Sequence, residues 1–157
     1  YAANAEQVFV SDGVFGPETD GDVDLGTTGV RFKDAYIDSV TVTGDVTIGD
    51  DASVAGRATG TQTTDNDGDF DLSVSNFFKC TPSGDFTLTL SNPAEGQSGT
   101  IMLINSGGHT VSAHASIAIN AATLTALTTA GTYMLTYYCS ASSGNNTILV
   151  GATGALT

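Results

Sequence analysis

Residues 40–57 read Val40-Thr-Val-Thr-Gly-Asp45, Val46-Thr-Ile-Gly-Asp-Asp51 and Ala52-Ser-Val-Ala-Gly-Arg57, three sixes that align in register. The first column is Val40, Val46 and Ala52, and the third is Val42, Ile48 and Val54. A hydroxyl residue fills the second column (Thr41, Thr47, Ser53), and Gly or Asp gathers at the end of each unit. Each six therefore offers a very short strand with two apolar side chains on one face, a hydroxyl on the other, and a turn. A strand this short cannot bury its apolar face alone. Stacking buries it, either coil upon coil in a β-helix or between chains wound round one axis. Three sixes are too few for a single-chain β-helix core, so the pattern predicts intertwining with copies of the same chain. Val40, Val42, Val46, Ile48 and Val54 are the expected inner side of that shaft.

Downstream, short strands recur with turn residues between them. They are expected at Phe70–Val74, Asn76–Cys80, Phe86–Leu90, Thr100–Asn105, His109–Ala113, Ile117–Ile119, Thr132–Cys139 and Thr147–Val150. Turn signals stand at residues 82–84, 92–93, 107–108 and 142–146. This spacing predicts an antiparallel β-sandwich of the jelly-roll kind. Phe86, Leu88, Leu90, Met102, Ile104, Tyr133, Leu135 and Tyr137 are its expected core. The organisation read from sequence is a lead-in segment over 1–22, a repetitive β shaft over 23–60, a polar linker over 61–68 and a sandwich over 69–157. The lead-in carries a strand near Gln7–Val10 and a turn at Gly16-Pro17. The class is all-β: Thr and Val are plentiful, and both favour strand over helix.

Charge divides the 157 residues unevenly. Seventeen acids face four bases, a net of −13. Residues 1–80 hold fifteen of the acids and all four bases, while 81–157 hold only Asp85 and Glu95. An acidic surface repels phosphate, which argues against nucleic acid as a partner. No run of about 20 apolar residues is present, so no membrane-spanning helix is expected. The chain opens on Tyr1 without a charged-then-apolar signal segment, and reads as a processed chain or a fragment.

Two segments resemble known proteins. Leu25-Gly-Thr-Thr-Gly-Val-Arg-Phe-Lys-Asp-Ala-Tyr-Ile-Asp-Ser39 is similar to a segment common in bacteriophage tail fibres and related virion proteins, where it introduces a repetitive β shaft; Phe32 stands where Trp is usual. Residues 84–150 resemble a C-terminal β-sandwich of tailed-phage fibres. The matching pieces are Phe86-Thr-Leu-Thr-Leu-Ser-Asn-Pro93, Gly99-Thr-Ile-Met-Leu-Ile-Asn105, Gly107-Gly-His-Thr-Val111, the run from Thr123 to Tyr138, and Thr147-Ile-Leu-Val150. Two tryptophans usual there are absent. The resemblance implies homotrimeric assembly, a place on the virion facing the extracellular medium, contacts with other virion proteins, and adhesion to a host-surface glycan or protein. A capsid decoration or head-fibre protein, and a secreted bacterial adhesin or filament subunit, are the alternatives.

Candidate chemistry is sparse. Asp65, Asp67, Asp69 and Asp71 alternate like oxygen ligands of a calcium loop, as do Asp20, Asp22 and Asp24. The other reading of 65–71 is a solvated strand face opposite Phe70, Leu72 and Val74. His109 and His114 fall on opposite faces if one strand holds both; one His from each of three chains could ring a metal on a symmetry axis, with surface histidines the plain reading. Cys80 and Cys139 read as buried thiols or one bridge. No nucleophile elbow, zincin helix or phosphate loop is present, so no catalysis and no organic cofactor are expected.

Overall fold

A computed structural model describes residues 8–17, 25, 27–44 and 46–156. The chain divides into two compact units, Tyr1–Ala52 and Ser53–Thr157.

In the first unit, β1 (Val8–Ser11) and β2 (Val14–Pro17) form an antiparallel hairpin with Val10 opposite Phe15. The turn falls at Asp12-Gly13 rather than at Gly16-Pro17, with Gly13 at φ +74°. Asp-Gly suits a tight hairpin turn because glycine adopts positive φ without strain. Among the described residues of 25–61 there is no strand or helix. The shaft strands expected from the sixes are therefore not formed within one chain. Each apolar piece is only three residues long, and among the described residues it pairs with no other strand.

The second unit holds two sheets around one core. Its elements are β3 (Gln62–Thr64), β4 (Asp69–Asp71), β5 (Phe77–Cys80), β6 (Phe86–Ser91), β7 (Ser98–Asn105), β8 (Val111–Ala113), β9 (Ile117–Ile119), α1 (Ala121–Leu127), β10 (Gly131–Cys139) and β11 (Ile148–Ala152). The larger sheet runs β3-β5-β7-β10-β11-β9 and the smaller β4-β6-β8. From β3 to β9 the chain alternates between the sheets, so a strand reaches its sheet neighbour only after visiting the other layer. Neighbours laid down this way are parallel: β3 with β5, β5 with β7, β4 with β6, and β6 with β8. Only β7–β10 and β10–β11 are antiparallel.

The all-β class holds, but the expected antiparallel ladder is replaced by a mostly parallel winding. Turn residues such as those at 82–84 reverse the chain without specifying which sheet catches the next strand. Gln62–Thr64, inside the stretch read as linker, is strand β3, held against β5 by backbone pairing rather than by apolar side chains.

The core joins both layers. Phe70 of β4 meets Phe78 of β5 edge to face, ring centres 5.3 Å apart, a favourable aromatic geometry. Leu88 and Leu90 of β6 and Tyr133, Leu135, Tyr137 and Cys139 of β10 are buried on the faces expected, with Phe86 packed at the rim. On β7 the buried face is Ile101, Leu103 and Asn105, so Met102 and Ile104 are corrected to the opposite, half-buried face. Val74 is exposed beyond the end of β4 rather than buried with Phe70 and Leu72. Cys80 and Cys139 are free and buried. Burial is also the main cause that pushes the Cys80 thiol up to about 12, with Asp65 and Asp67 adding to it. Burial raises the Cys139 thiol as well, so both favour the protonated form at neutral pH.

Three details hold the far end of the domain. The fully buried Asn105 amide donates to the carbonyls of His109 (2.8 Å) and Leu127 (2.9 Å), and its oxygen accepts the His109 N–H at 2.8 Å. Helix α1 is capped by Asn120, whose side chain accepts from the Ala122 N–H at 2.9 Å. The Tyr133 hydroxyl lies 2.8 Å from both the Ala126 and Thr129 carbonyls, tying the end of the helix to β10.

Candidate functional site

Apart from the histidines, the contact and ligand residues singled out in the sequence fall in two places, and the structure adds a third. The first is the apolar ladder. Val40, Val42, Val46, Ile48 and Val54 are each between 51% and 67% exposed, and upstream Val30, Phe32, Tyr36 and Ile37 are exposed as well. The local order in this stretch is a turn in which Thr27 Oγ1 accepts the Val30 N–H at 3.0 Å and the Thr27 N–H meets the Val30 carbonyl at 2.7 Å. Aliphatic side chains this exposed are costly to leave bare in water.

The second place is the acidic run between β3 and β4. Its carboxylates build turns: Asp65 Oδ1 accepts the Asp67 N–H (3.2 Å) and Asp67 Oδ1 accepts the Asp69 N–H (2.9 Å). Asn66 Oδ1 accepts the Thr81 N–H at 2.7 Å, pinning the turn to the end of β5. Gly68, buried at φ +91°, lies under the Phe86 ring, where a side chain would collide. Asp71 Oδ1 accepts from Asn92 Nδ2 (3.0 Å), the Ser73 N–H (3.0 Å) and Ser73 Oγ (2.7 Å). Among the described residues no three His, Cys, Asp or Glu side chains converge as a metal site. Asp20, Asp22 and Asp24 lie outside the described residues.

Hydrogen bonding sets the ionisation of this run. The Asn92 amide, followed by Ser73, holds the Asp71 carboxyl below the ordinary 3.8, and the Asp69 N–H does the same for Asp67. Burial, then the Asp67 side chain, raises Asp65. A carboxylate with a depressed folded value stabilises the fold above its unfolded value, and that contribution is lost as pH falls through the folded value. The raised Asp65 works in the opposite direction. The melting temperature of wild type should therefore fall more steeply below pH 3.8 than that of Asp71→Asn, which keeps an acceptor oxygen but cannot titrate. Parallel pH profiles for the two proteins would contradict this.

The histidines do not share a strand. His109 sits in the turn clamped by Asn105, and His114 follows β8 with Nδ1 2.9 Å from Ser116 Oγ.

The third place went unread in the sequence. The outward face of the six-stranded sheet carries two hollows. One, of about 690 Å³, is lined by Ala118, Thr136, Tyr138, Asn146, Leu149 and Gly151. The other, of about 340 Å³, lies among Gly60, Phe77, Met102 and Met134. Tyr138 and Leu149 stand opposite each other across the β10–β11 pair, each 50% exposed. A signal was present: β7 and β10 are apolar on both faces (Ile101-Met-Leu-Ile104; Tyr137-Tyr138), the pattern of a strand covered on both sides.

No protein-family model, curated protein or solved structure matches the chain.

Proposed function

We propose that the chain is a non-catalytic structural module of a bacteriophage virion appendage of the tail-fibre kind. It works as a homo-oligomer, with a trimer as the arrangement implied by the resemblance of residues 25–39 and 84–150. Residues 23–60 are the shaft segment, which gains its strands and its dry interior from sister chains. The two-sheet unit is the knob, a sandwich that presents the host-facing surface. Three equal copies add weak contacts by avidity.

The observation that carries this reading is the periodic ladder. Its aliphatic side chains lie at least half exposed and without strand partners in the single chain. The order of the two segments, shaft then sandwich, supports it further.

Light scattering on the purified chain, with a low-resolution particle image, tests the reading. The expected mass is three times the 15.9 kDa chain in an elongated particle. The double substitution Val46→Asp, Ile48→Asp should abolish that assembly at micromolar concentration. Each side chain contributes about 1.5–3 kcal/mol when buried, and a buried carboxylate adds a penalty of its own. A wild-type monomer with the ladder sealed from solvent would sink the proposal.

A further inference from the structure

The outward face of the larger sheet has a composition unlike the rest of the molecule. Its six strands present Phe77, Met102, Ile104, Met134, Tyr138 and Leu149 among threonines, serine, glutamine, alanine and glycine, with Lys79 the single charge and no carboxylate. Leu156, bridged to Thr132 beyond the end of β11, extends the same face. This is the bare side of a sheet whose β3-β5-β7 part is parallel, and parallel strands are ordinarily covered on both faces. In this unit only the inner side is covered.

We infer that this face packs against the same region of a second copy of the chain. The inference deepens the oligomeric reading above and rests on it for the choice of occupant, and two observations make that choice. The first is charge. Copies carrying −13 each repel one another, and approach is least opposed through a surface that holds no acid. The second is the path of the backbone. Ala58, Thr59 and Gly60 line the smaller hollow on this face, with Gly60 so close to the Phe77 ring that a methyl group there would collide. Residues 58–60, just ahead of β3, thus run along this surface. Copies joined through the preceding segment hold these faces at high local concentration, and the two hollows can take up protruding side chains of a neighbour.

Thiol labelling on the 157-residue chain tests the inference independently of the shaft. The native cysteines are buried, so a single new thiol reports alone. Leu149→Cys and, separately, Tyr138→Cys are compared with Ser142→Cys in the exposed turn between β10 and β11. Both test positions are half exposed in one chain, so the fold tolerates the change, and melting curves verify it. In the assembled protein the two face thiols should react at least tenfold more slowly than the turn thiol, and Leu149→Glu should lower the assembly mass. Equal labelling rates in an intact assembly would overturn the face while leaving the shaft reading in place, and would leave the surface open to a glycan or another virion protein. Dissociation by Leu149→Glu but not by Val46→Asp, Ile48→Asp would support the face and overturn the shaft. A wild-type monomer at every concentration would overturn both.

Discussion

Replacing Asn105 by alanine should destabilise the two-sheet unit by about 3–5 kcal/mol, because one side chain satisfies three backbone groups at the domain's far end. Its loss strands the carbonyls of His109 and Leu127 and the His109 N–H. Leaving a buried polar group unpaired costs about 1–3 kcal/mol each, more than the bond itself contributes. The same change frees the turn before β8 from the end of α1, so both should loosen together. Equilibrium urea unfolding at fixed protein concentration measures the loss, and a change under 1 kcal/mol would show that the clamp is dispensable. Asn105→Asp is the sharper probe. It retains the acceptor for the His109 N–H but sets a carboxylate against two carbonyls. Burial and that repulsion raise its folded value, so the damage should be greatest at neutral pH and ease on acidification, the reverse of the Asp71 behaviour.

Gly99→Ala should be comparably severe, about 3 kcal/mol or more, through overpacking. A β-carbon there would lie 2.0 Å from the Asn76 carbonyl oxygen and 2.4 Å from the Tyr137 hydroxyl. The carbonyl cannot step aside cheaply, since it accepts the Thr100 N–H at 2.9 Å, and Tyr137 is packed in the core. Gly84→Ala provides the contrast: nothing lies within 4 Å of its β-carbon, so the change should be neutral or stabilise by up to about 1 kcal/mol. Thermal melts of the two variants beside wild type decide the matter, and equal shifts would remove the steric explanation.

How much of this was legible depended on which physical signal each segment carried. Tyr133, Leu135, Tyr137 and Cys139 alternate over seven residues, and the structure buries that face as read. On β7 the run Ile101-Met-Leu-Ile is apolar throughout, so alternation could not choose a face. The residue that could have chosen was Asn105, which looks like a solvent marker and is fully buried. Strand β3 is Gln-Thr-Thr, with no apolar signal, and exists because β5 offers a backbone to pair with. Helix α1, seven residues long, is too short for its period to emerge from a Thr- and Ala-rich background. The acidic run was readable as acidic but not as turn-building, because the bonds that occupy Asp65, Asp67 and Asp71 are local geometry rather than composition. The outward sheet face was missed for a different reason: apolar residues on both faces of β7 and β10 do not say which side is left outermost until the sheet order is known.

The placement of β7, with β5 on one side and β10 on the other, has a consequence for how the polypeptide is made. Strands ahead of it can find only parallel partners across long loops, a slow kind of closure. A ribosome that has released residues up to Leu90 has delivered two incomplete layers and no central plank to fasten them. Cooperative folding must wait until Asn105 is out, and the final lock until the C-terminal hairpin follows. The same interlacing works in reverse once the domain is complete. Apart from the edge strand β3, every strand sets an apolar side chain into the shared core, so the finished domain should come apart rarely and all at once.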